Sequence, residues 1–118
     1  MLRNKQIFID LVLKIKDLKK SVEELMAQAR DSSFEHKSKY LYLEYASLAD
    51  CDRVIAELDN HIANFNHRTV DQDLLIFSMV DRAMEEVTKR QNIVTKMLKE
   101  EERKALKRLE EELRNMFD

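Results

Sequence analysis

The 118-residue sequence predicts an all-α protein: an up-down-up antiparallel three-helix bundle with coiled-coil packing, whose long third helix extends beyond the bundle. Three observations carry that expectation. The chain has no glycine and no proline, so positions that need a positive φ or a preset turn are missing throughout. Its 37% charged and 44% apolar residues suit long amphipathic helices. Apolar residues recur three and four apart over most of the length, which is the period of one helix face. The expected organisation is a bundle over residues 1–98, with helices at about 2–30, 34–65 and 70–98, followed by a helical extension over 99–118.

In the first helix Phe8, Leu11, Ile15, Leu18, Val22, Leu25 and Ala29 form a stripe with coiled-coil spacing. Ile9 and Leu13 lie well off it, so the N-terminal half is apolar on two sides and calls for a second neighbour. In "RDSSFEH", Ser32 followed three positions later by Glu35 is a capping-box pattern that predicts the start of the second helix. Its stripe is Phe34, Leu41, Leu48, Cys51, Ile55, Leu58, Ile62 and Phe65, with Lys37 and Glu44 as polar members. The helix is expected to end in "NFNHR", residues 64–68. "TVDQD" opens the third helix, with Thr69 as cap, Gln72 reaching back, and Asp71 and Asp73 favoured by the helix dipole. Ile76, Val80, Ala83, Val87, Val94 and Met97 hold its stripe, and Arg90 interrupts it. Glu44 and Arg90 stand almost equally far from the turn at 66–70, so they are expected to face each other as a register pair.

Six consecutive charged residues, Lys99 to Lys104, follow this stripe, yet nothing after Leu98 breaks the helix. Opposite charges four apart, such as Lys107 with Glu111 and Glu110 with Arg114, support an exposed helix by about 0.2–0.5 kcal/mol each. Leu106, Leu109, Leu113 and Met116 then resume the apolar spacing. They are expected to pack outside the bundle, on a second copy or another partner. The rival expectation is a bend in KEEERK that folds the tail back over Ile9 and Leu13 as a fourth helix.

Composition narrows the function classes. A net charge of −2 and a pI near 6 give no global attraction to nucleic acid. Residues 1–20 carry six basic against two acidic side chains, a net of +4 that leaves −6 for the remainder, so a phosphate- or membrane-surface role for the first helix is kept as an alternative. No segment has the roughly 20 apolar residues of a membrane span, and a single cysteine, Cys51, forms no internal disulfide; a cytoplasmic protein is expected.

Several residues match parts of known catalytic or metal-binding motifs. His36 and Lys39 match the first part of the His-x-x-Lys-Gly pattern of histidine phosphotransfer domains, but Tyr40 replaces the glycine. Arg30 and His36 have the spacing of the Arg-(four to six)-His motif of HEPN ribonucleases, across a predicted turn. Glu23, Glu24 and Asp50 begin and end the carboxylate set of MazG-type pyrophosphohydrolases, with Ala27 and Ser47 where carboxylates belong. Glu57 and His61, four apart, make half a metal site with no histidine on a neighbouring helix to complete it, which leaves His61 at the surface. Tyr40, Tyr42 and Tyr45 are read as core or interface residues rather than stacking platforms. The expectation is a non-enzymatic interaction or assembly module without cofactor or metal, self-associating or binding a helical protein. Its partner-binding residues are Ile9, Leu13, Leu106, Leu109, Leu113 and Met116. The alternative is a small all-α enzyme or phosphotransfer protein.

Overall fold

The computed structural model describes residues 4–32 and 34–117. Three helices form: α1, Lys5–Arg30; α2, Lys37–Ala63; and α3, Val70–Phe117, a single helix of 48 residues. A 3-10 turn, Phe65–His67, joins the last two. No described residue adopts a positive φ, in keeping with a chain that closes its turns without glycine. Cross-helix contacts define the topology. Phe8 meets His61, and Lys19 meets Asp52, so α1 and α2 are antiparallel. Phe8 stacks on Phe77 and Gln28 reaches Glu102, so α1 and α3 run the same way. The bundle is up-down-up.

Capping differs between the two turns. At α3 the box forms as its residues predict: Gln72 N donates to Thr69 Oγ1 at 3.2 Å, and Thr69 N donates to Gln72 Oε1 at 2.8 Å. At α2 it does not. Ser32 Oγ donates to the Ala29 carbonyl at 2.7 Å, satisfying an orphan acceptor at the end of α1, and α2 begins at Lys37 rather than at 34. Its cap residue, His36, makes no side-chain cap bond. At α1, Asn4 caps by accepting from Gln6 N at 2.9 Å.

The core stripe of α2 is rotated from the one expected, whereas α3 buries Ile76, Val80, Ala83, Val87 and Val94 as its spacing predicts. In α2 the buried residues are Tyr40, Glu44, Ser47, Cys51, Val54 and Leu58, while Leu41, Leu48 and Ile55 stand half-buried beside them. In α3 the stripe keeps heptad spacing to Val87, then steps by four to Gln91 before Val94 and Leu98. That extra residue follows from geometry: at 3.6 residues per turn a straight helix drifts off a 3.5-residue repeat, and a four-residue step restores the seam. The interior has two apolar clusters. The larger runs from Phe8 to Val22 on α1 and from Ile76 to Val87 on α3, and the smaller holds Ala29, Tyr40, Val94 and Leu98. Glu44, Ser47 and Gln91 are buried along the stretch between them.

Leu98 is the last buried residue of α3 and Glu101 the last half-buried one. The helix continues without a break through KEEERK, so the tail projects and does not fold back over Ile9 and Leu13. At 1.5 Å per residue, 48 residues span about 72 Å, and the molecule is 75 Å long by 23 by 17 Å.

Candidate functional site

Three places concentrate chemistry or uncovered apolar surface. The first is the bundle end where α2 turns into α3. Asp73 Oδ1 accepts from Arg68 Nε at 2.5 Å and lies 2.7 Å from His61 Nε2. Arg68 also donates to the Phe65 carbonyl, and its guanidinium sits 3.1 Å from the centre of the Phe65 ring and 5.2 Å from that of Phe8. Phe8 in turn meets His61 edge-on at 4.7 Å and stacks on Phe77 at 5.1 Å. The cluster therefore clamps the start of α1 onto the α2–α3 turn. His61, expected at the surface, is instead held with only a tenth of its side chain exposed. A cavity of about 480 Å³ opens beside it, lined by Glu57, Asn60, Asn64, His67 and Gln72 among others. Among the described residues no group of three or more His, Cys, Asp or Glu side chains converges as a metal site.

The second place is the polar layer inside the bundle. Glu44 is fully buried, and its Oε2 accepts from Gln91 Nε2 at 3.1 Å. Glu44 Oε1, Ser47 Oγ and Gln91 Oε1 are enclosed with no hydrogen-bond partner among the described residues. Burial raises the pKa of Glu44, opposed by the hydrogen bond from Gln91, so the carboxyl is biased toward its neutral form. The expected Glu44–Arg90 pair is absent. Arg90, one position before Gln91, is turned off the seam and pairs with Asp50, while Gln91 takes the place opposite Glu44. The four-residue step in the α3 stripe is the reason. Lys19 of α1 does not reach this layer and pairs with Asp52 at 2.6 Å.

Cys51 lies in the larger cluster, and burial, followed by Asp52 and Asp50, pushes its thiol up to about 11. It is a small apolar core residue and a poor nucleophile. Tyr40 is fully buried, and burial, then the neighbouring Glu101 carboxylate, pushes its hydroxyl up to about 12. Tyr42 and Tyr45 are exposed. The partial motifs stay dispersed: Glu23, Glu24 and His36 are exposed, and Asp50 is engaged by Arg90 and Arg53.

The third place is the tail. Leu106, Leu109, Leu113 and Met116 are 61%, 51%, 47% and 75% exposed, and Phe117, missed by the sequence reading, is 85% exposed. Glu102 fixes the direction of this stripe. Its Oε1 accepts from Gln28 Nε2 of α1 at 3.3 Å, and steps of four, three, four and three lead from it to the four apolar residues. The tail stripe thus continues the side of α3 that α1 covers further down. Of the remaining candidates, Leu13 is 56% exposed and Ile9 half-buried. They lie on α1, away from the tail. No helix among the described residues is long and apolar enough to cross a membrane.

No protein-family model, no curated protein and no solved structure matches this chain.

Proposed function

We propose that the chain is a helical interaction module without catalytic activity: the bundle holds α3 in place, and the uncovered stripe of its last turns binds a partner helix. One observation carries the reading. Four apolar residues at three- and four-residue spacing stand 47–75% exposed on a helix that has left its own neighbours. Such a face suits helix-in-groove or helix-on-helix recognition, in which a stripe of this spacing supplies the anchors. Ile9 and Leu13 offer a smaller second surface on α1.

The test compares the full chain with a Leu109→Glu, Leu113→Glu double variant, which keeps helix propensity while placing charge on the stripe. Both are immobilised, and the proteins each retains are identified by mass spectrometry, with thermal melts in parallel. The expected result is an unchanged melting point and the loss of at least one retained species, a second copy of the chain included. Identical retained sets from two equally stable chains reject the proposal.

A further inference from the structure

We infer that the occupant of the tail stripe is the tail of a second copy, lying antiparallel, so that the chain forms a closed two-fold dimer. The inference rests on the reading of the tail as a partner-binding face and names the partner.

The end of α1 fixes the direction a second tail can take. Because Glu102 is tied to Gln28, the stripe from Leu106 to Met116 points to the side where α1 lies, and α1 ends at Arg30. A second tail laid parallel on that stripe would continue, toward its own bundle, into the space α1 fills below Arg30. An antiparallel tail leaves in the opposite direction and meets no such obstacle.

Register follows from the spacing. Antiparallel pairing sets Leu109 against Leu113 of the second copy and Leu106 against its Met116, so four apolar layers close with no charged residue in any of them. Phe117 then lies beside Arg103 of the other chain, where its exposed ring can cover the guanidinium. The same register carries an unfavourable feature, because the two-fold axis brings Glu110 opposite Glu110 and Glu112 opposite Glu112. The interface is isologous and closes at two copies. Its apolar stripe drives association, and its flanking charges oppose it, a combination that tightens with salt and with acid.

The test is sedimentation equilibrium of the full chain up to a few hundred micromolar, in low and high salt. A monomer–dimer equilibrium that strengthens with salt is expected. Leu109→Glu with Leu113→Glu should weaken it on the order of 100-fold or more. Glu110→Gln with Glu112→Gln, which relieves two like-charge contacts, should tighten it about two- to fivefold. Orientation is read from Glu110→Cys, which should form an intermolecular disulfide across the two-fold axis, the native Cys51 being buried. A monomer at every concentration, a dimer indifferent to the Leu109 and Leu113 changes, or no Glu110→Cys disulfide in a dimer each overturns the proposal. A monomeric chain whose Leu109→Glu, Leu113→Glu variant still loses a retained protein rejects self-pairing while leaving the interaction reading intact; a monomeric chain that loses nothing rejects both.

Discussion

Helix α3 repeats apolar residues three and four apart on both sides of Leu98, but the two halves have opposite fates. Ile76, Val80, Ala83, Val87 and Val94 are all buried, whereas Leu106, Leu109, Leu113 and Met116 are each about half exposed or more. Side-chain chemistry does not distinguish them. What differs is that α1 and α2 run beside the first half and have turned back before the second. Periodicity thus reports that a face wants covering, and only topology reports whether the chain itself supplies the cover.

The comparison can be broken most severely at the buried network. Asp73→Ala removes the carboxylate that holds Arg68 and His61 and leaves a guanidinium buried without it, which should cost about 3–5 kcal/mol in chemical denaturation. A loss under about 1 kcal/mol would show that the cluster does not clamp the bundle end. Next in size, Leu58→Ala, in a fully buried position, should cost about 2–5 kcal/mol, while Leu113→Ala in monomeric chain should stay within about 0.5 kcal/mol. Equal costs at the two leucines would erase the distinction between core and tail.

The polar layer sharpens the account through pH. A carboxyl whose pKa is raised in the folded state favours folding when protonated. Its contribution is therefore full below the ordinary value of 4.5 and is lost as pH climbs from there to the raised folded value. Glu44→Gln should then stabilise the protein at neutral pH, on the order of 1–3 kcal/mol, and the advantage should vanish in acid. An advantage independent of pH would remove Glu44 titration from the explanation. At Cys51 the expected effect is smaller still: thiol labelling should proceed only at the rate of unfolding, as read by the parallel denaturant dependence of the two rates.

Much of this was legible in the residues. The absence of glycine and proline, with a three- and four-residue apolar spacing, is enough for three helices, and Thr69 with Gln72 marks the start of α3, where both bonds of the capping box form. Ser32 misled because a hydroxyl just past a helix end can serve the carbonyls behind it as well as the amides ahead. The α2 stripe is rotated for a related reason. Where apolar residues crowd two adjacent positions, as at Leu41 beside Tyr40, spacing alone does not say which faces inward, and the bundle buried Tyr40. Gln91 and Ser47 carry no apolar signal, so spacing does not mark them as core positions or reveal Gln91 as the partner of Glu44. The Asp73–Arg68–His61 cluster was hidden because its members come from a turn and two helix ends, brought together only by the tertiary fold.

The most direct test of the division within α3 is the melting point of a chain cut after Glu102, which keeps the contacts of Glu101 with Tyr40 and Glu102 with Gln28. It is compared with the full chain at a concentration low enough that both are monomeric. The two melting points should agree to within about 2 °C, since the exposed turns contribute little to the monomer core. A fall of about 10 °C or more would mean that Leu106, Leu109 and Leu113 are packed within the chain's own core, and it would contradict the projecting tail.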